Sequence, residues 1–141
     1  RFDPWQEIDA EVLGKDTSKL LVNVYFNPGE PGDRYNYGYR GTPAVVDLGL
    51  DAAEGFHRYA IEWEPEEIRW FVDGRVVHAR HAGRPAPIPH LPMRFHVNLW
   101  PCCSEELAGK LDPSALPLRA EVTSVALARW VPPPSRRARA R

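Results

Sequence analysis

Residues 6–12 read Gln6-Glu7-Ile8-Asp9-Ala10-Glu11-Val12, with acids and apolar side chains in strict alternation after the first position. Successive side chains on a strand point to opposite faces. Glu7, Asp9 and Glu11 therefore project side by side, and Ile8, Ala10 and Val12 form the other face. Acids are depleted in strands, and like charges along one face repel. Three acids with no lysine between them need a reason.

The same period recurs along the chain. Leu20 to Phe26 is a β-rich run around Asn23, and Phe56 to Trp63 alternates again. Ile68 to Val72 and Arg75 to His78 flank Asp73-Gly74, a dipeptide suited to a tight type I′ hairpin turn. Phe95 to Trp100 and Glu121 to Trp130 are predicted as further strands. Turn-forming clusters occupy 27–33 and 83–89. Only Ser104 to Lys110 and Asp51 to Glu54 suit a helical turn. Short strands at near-regular spacing predict an all-β, antiparallel sandwich or barrel. Five tryptophans and five tyrosines have two uses in such a fold. Some fill the space between sheets, and others offer flat platforms for sugar rings.

A length of 141 residues argues for one domain. The 43% hydrophobic and 26% charged content excludes a disordered or collagen-like chain, and no uncharged run is long enough to cross a bilayer. Fifteen prolines, about twice the usual share, leave little room for long helices. The net charge of -1 is uneven. With Arg136, Arg137, Arg139 and Arg141 set aside, 14 basic residues face 19 acidic ones, so residues 1–130 carry -5. The body is mildly acidic and lacks the basic stripe of a nucleic-acid binder. Residues 132–141, Pro-rich and then Arg-rich, are expected to form a disordered tail, leaving 1–131 as the domain. Cys102 and Cys103 are adjacent and bridge only through a strained ring, so no stabilising disulfide is expected. No Cys/His spacing suggests zinc. The sequence begins at Arg1 and shows no signal peptide. The expectation is that a leader has been removed or that the sequence is cut from something longer.

The three acids suit a specific chemistry. A retaining glycosidase uses two carboxyl groups about 5–5.5 Å apart, one as nucleophile and one as general acid/base. The Cα atoms of Glu7 and Glu11 lie about 13 Å apart on a strand, a gap that long side chains on a curved strand close in large part. Crowded like charges resist joint ionisation, so one carboxyl keeps its proton while a neighbour stays anionic. The pattern alone leaves catalysis and a solvated acidic edge strand side by side.

The stretch from Trp5 to Thr17 resembles the active-site strand of glycoside hydrolase family 16. It has the ExDxE form, without the extra residue of the laminarinase-like branch, which points to the branch of lichenases and xyloglucan transglycosylases. His57 to Trp63 and Ile68 to Gly74 resemble the paired strands that follow in lichenases, and Met93 to Trp100 the strand ending in Asn-Leu-Trp at the cleft. Leu107-Ala108-Gly109 stands where lichenases have Trp-(Ala/Leu)-Gly. The match runs to about Val125.

The resemblance implies a concanavalin-like jelly roll. It also implies Glu7 as nucleophile, Glu11 as general acid/base and Asp9 as their assistant. Trp5, Asn23, Tyr25, Asn98 and Trp100 match positions lining the family's cleft, while His57 and His96 read as structural. It implies a polysaccharide substrate, a monomer with no nucleic-acid or membrane partner, and a secreted, extracellular or periplasmic setting. No cofactor is expected. Thr123 replaces an aspartate that helps hold a structural calcium in lichenases, which puts that ion in doubt. Leu21 stands for a cleft glutamine and Leu107 for a stacking tryptophan. The catalytic strand lies near the middle of the family's domain but close to the start here, so the chain reads as the C-terminal portion of an incomplete sandwich. Residues 27–42, with Arg34 and Arg40, resemble the rhizobial branch acting on succinoglycan-type exopolysaccharide. The implied activity is a retaining endo-β-glycanase on β-1,3/1,4-linked glucan or such an exopolysaccharide. A transglycosylase of the same family and a non-catalytic, carbohydrate-binding or truncated remnant are the alternatives.

Overall fold

The structure, a computed structural model, describes residues 4–27, 29, 42–83 and 87–132. Two three-stranded antiparallel sheets carry the fold. The first has the order β1 (Trp5–Val12), β2 (Lys19–Asn27), β3 (Ala44–Asp47); the second has β4 (Tyr59–Trp63), β5 (Glu67–Val72), β6 (Arg75–His81). A short helix α1 (Glu105–Ala108) follows, then a 3₁₀ turn at Pro113–Ala115.

The β1–β2 ladder runs without a slip from Trp5 opposite Asn27 to Val12 opposite Leu20. Directly opposed residues share a face. Ile8 therefore sits with Val24, and Ala10 with Val22, on the face opposite the acids. From the other sheet, β5 sends Ile68, Trp70 and Val72 inward, and these meet Leu20, Val22, Val24, Leu48 and Ile88 in one buried cluster. Each such side chain contributes about 1.5–3 kcal/mol through burial. Polar links cross between the sheets as well. Arg75 Nη2 donates to the Leu48 carbonyl at 2.6 Å, and Trp70 Nε1 to the Asp9 carbonyl at 2.9 Å. The cover is uneven, since Val12 on β1 and Tyr59 and Ile61 on β4 are each 41% exposed.

The hairpin between β5 and β6 turns at Asp73-Gly74, with φ of 50° and 79°. This is the left-handed pair that a type I′ turn requires. The expected helical turns also form: Glu54 N–H donates to the Asp51 carbonyl, and Ser104 caps α1.

Two predicted strands do not join a sheet. Residues 95–100 and 121–130 lie outside every ladder among the described residues. Phe95, Val97, Leu99, Val122, Val125 and Leu127 are exposed. Local β-preference supplies a side-chain pattern but not the neighbouring edge that satisfies a strand's backbone groups. Conversely β3, only four residues long, forms where no strand is predicted. It pairs Val46 with Leu20 and Ala44 with Val22. The tail from 133 onward and the loop carrying Arg34 and Arg40 lie outside the described residues. Among the described residues no helix is long and apolar enough to cross a membrane.

Helix α1 docks on the turn after β1. Lys15 N–H donates to the Leu107 carbonyl at 3.1 Å, and a Cβ on Gly14 would stand 2.8 Å from the Ala108 carbonyl oxygen. Only glycine permits that approach. Gly14→Ala should therefore displace α1 or strain the turn, costing about 1–3 kcal/mol as a lowered melting temperature. An unchanged melt would show that α1 does not bear on Gly14.

Candidate active site

The site begins with parity. Glu7 faces Tyr25, Asp9 faces Asn23 and Glu11 faces Leu21 across the β1–β2 ladder, so all six side chains lie on the surface opposite the core. Trp5 extends the row and packs against Tyr25, with ring centroids 5.1 Å apart. The ladder thus brings together Trp5, Glu7, Asp9, Glu11, Asn23 and Tyr25. It does not bring in Asn98 or Trp100. Both are exposed, Trp100 by 58%, and no ladder among the described residues holds residues 95–100 against β1.

The acids are crowded and partly buried, and no lysine or arginine stands opposite them on β2. Asp9 is raised from 3.8 to about 8, first by burial, then by its hydrogen bond with Glu7 and by the charges of Glu7 and Glu11. At neutral pH Asp9 holds a proton and donates it to the Glu7 carboxylate. Glu11 is also raised, by burial first and by the charge of Glu7 second. One face thus presents an acceptor carboxylate, a protonated bridge beside it and a second carboxyl inclined to keep its proton. That set can supply a nucleophile and an acid from adjacent positions.

Asn23 is 5% exposed. Its Oδ1 accepts from the Val24 N–H at 2.9 Å and the Thr42 N–H at 2.7 Å, while Arg80 donates to the Thr42 hydroxyl at 2.8 Å. The carbonyl end of this amide therefore ties the start of β3's approach to β2 under the acid row. His57 is bound to Asp73 at 2.8 Å beside the hairpin turn.

Two supporting residues escape the sequence reading. Gln6 is buried on the apolar face of β1, and its Oε1 accepts from the N–H groups of both His90 and Leu91, at 2.7 and 2.9 Å. A single amide among Ile8, Ala10 and Val12 is the signal that marks it. Trp70 supports the row through the Asp9 carbonyl, and only the structure reveals that partner.

Comparison with known proteins places this row in context. The family model "Glycosyl hydrolases family 16" matches residues 1–112. A β-glucanase of Brevibacillus brevis is 42% identical over 99 residues, covering 70% of this chain and 33% of its own length. One of Paenibacillus macerans is 43% identical over 96 residues, covering 68% and 35%. The solved structure of a Bacillus licheniformis β-glucanase aligns with 62% of this chain and 35% of its own, at 39% identity and a TM-score of 0.47. The chain spans about a third of the length of the curated relatives it matches.

Proposed function

The chain belongs to glycosyl hydrolases family 16, and from that membership we propose that it carries the carboxylate row of a retaining endo-β-glycanase. The substrate in this reading is β-1,3/1,4-linked glucan or a related, succinoglycan-like bacterial exopolysaccharide, met outside the cell or in the periplasm by a monomeric enzyme. The observation that supports it best is the single face shared by Glu7, Asp9 and Glu11, with a proton held on Asp9.

The chemistry follows from the roles assigned to the row. Glu7 attacks the anomeric carbon while Glu11 protonates the glycosidic oxygen, and the leaving chain departs. A glycosyl ester on Glu7 results. Glu11, now a carboxylate, takes a proton from water as that water displaces Glu7, and the product keeps its starting configuration. Asp9 donates its proton toward Glu7, which steadies the charge that returns to Glu7 when the ester breaks. Trp5 and Tyr25 offer ring faces beside the row, and Asn23, Asn98 and Trp100 complete the assigned sugar contacts.

The test is direct. The protein is incubated with barley β-glucan and with succinoglycan, reducing ends are counted, and the first-formed anomer is read by proton NMR. Cleavage with the β-anomer appearing first supports the reading. An α-anomer first, or no cleavage of either polymer, overturns it.

A further inference from the structure

Trp70 stands in the middle of β5, 2% exposed, and is joined to the opposite sheet by a polar bond. Its indole N–H donates to the main-chain carbonyl of Asp9 at 2.9 Å. A buried indole N–H requires an acceptor, and the acceptor here belongs to the middle acid of the row. The ladder indicates what this bond fixes. Leu13 N–H donates to the Lys19 carbonyl at the closed end of the β1–β2 hairpin. Bonded pairs recur at every second residue of an antiparallel ladder. Asp9 and Asn23 therefore form a bonded pair, and the Asp9 carbonyl takes the indole as a second donor.

The Asp9 peptide is thus held by β2 within the sheet and by Trp70 from the core. The Asp9 side chain leaves that same Cα on the opposite face, so the tilt of the peptide sets where the carboxyl stands between Glu7 and Glu11. The ring is itself confined, with His78 5.4 Å away and Ile68 and Val72 in the same buried cluster.

We propose that Trp70 is a positioning residue for the acid row, its N–H fixing the Asp9 peptide and so the contact of the Asp9 carboxyl with Glu7. The proposal rests on the catalytic reading of that row. Glu7 and Glu11 face Asp9 from its own strand, Asn23 and the titratable Tyr25 from β2, and His78 and Arg80 flank Trp70 from β6. None of these is altered when only the indole N–H is removed.

The experiment replaces Trp70 with 3-benzothienylalanine, which puts sulfur where the N–H was and keeps the ring shape; Trp70→Phe is the companion variant. The Asp9 carboxyl is titrated by carbon-13 NMR, and kcat and KM are measured on β-glucan across pH. With the fold retained, kcat should fall about tenfold while KM stays within about twofold, because a small misplacement acts on the reacting geometry rather than on binding. The Asp9 midpoint should drop by about one pH unit or more as its contact with Glu7 loosens, and the alkaline limb of the rate profile should move with it. A folded variant with an unchanged Asp9 midpoint and wild-type kcat would overturn the proposal. Wild-type protein that fails to cleave glucan would overturn the catalytic reading instead, and the Asp9 titration, which needs no turnover, would still decide the role of Trp70.

Discussion

Glu7→Ala should lower glucan cleavage by about a thousandfold or more, and sodium azide should restore turnover with release of the α-glycosyl azide. The expectation follows from which face of the sugar each carboxyl occupies. With Glu7 shortened to a methyl group, azide enters the vacated space and attacks the anomeric carbon directly. One displacement inverts a β-linkage. In Glu11→Ala the nucleophile is intact, so an aryl β-glycoside whose leaving group needs no protonation still forms the ester on Glu7. Azide then replaces water in the second displacement, and two inversions return the β-azide. The two products distinguish the roles more sharply than loss of rate, which any damage to the site would cause. Glu7→Gln should be equally inactive while keeping the wild-type fold, since an amide of the same size cannot attack. Wild-type turnover in Glu7→Gln, or β-azide from Glu7→Ala, would remove Glu7 from the role of nucleophile.

How much of this was legible in the sequence depends on whether a feature is local. The acid row was legible because strand parity needs no partner, and the ladder observed between β1 and β2 keeps that parity from Trp5 to Val12. The hairpin at Asp73-Gly74 was legible because its backbone requires left-handed residues, which that dipeptide tolerates. Residues 95–100 carry as good a strand pattern as β2, but among the described residues no edge pairs with them, and a pattern does not reveal which edges exist. This is also why no ladder among the described residues holds Asn98 and Trp100 against β1 and β2. The contacts of Gln6 and Trp70 link positions 84 and 61 residues apart, and no local rule reports them. A lone amide on an apolar strand face marks Gln6 as unusual without naming its partners.

Asp9→Asn should make the protein more stable and less active, with the gain in stability growing as pH rises from about 4 to about 8. Asp9 is raised from 3.8 to about 8 in the folded chain. Between those values the native state holds a proton that the unfolded chain has released, so stability falls as pH rises. Below the unfolded value the contribution is fully present, and above the folded value it is lost. One whole proton corresponds to about 1.4 kcal/mol per pH unit. After discounting for solvent at a site that is only partly buried, the total is about 2–3 kcal/mol. The amide of the Asp9→Asn variant never ionises and still donates to Glu7, so the variant escapes the loss. At pH 8 its melting temperature should exceed that of the wild type by roughly 10 °C, and at pH 4 the two should coincide. Asp16, Asp47, Asp51, Asp73 and Asp112 are held low by hydrogen bonds and pull stability the opposite way in acid. They are common to both proteins and cancel in the difference. Activity should fall about a hundredfold, because an amide is a weaker hydrogen-bond donor than a carboxylic acid to the charge returning to Glu7. A melting difference that stays flat from pH 4 to 8 would mean that Asp9 is ionised in the native row and that the proton lies elsewhere. A growing difference with full activity would keep the proton on Asp9 but remove it from the reaction. Stability gained as activity is lost is the signature expected where like charges are held together for chemistry rather than for folding.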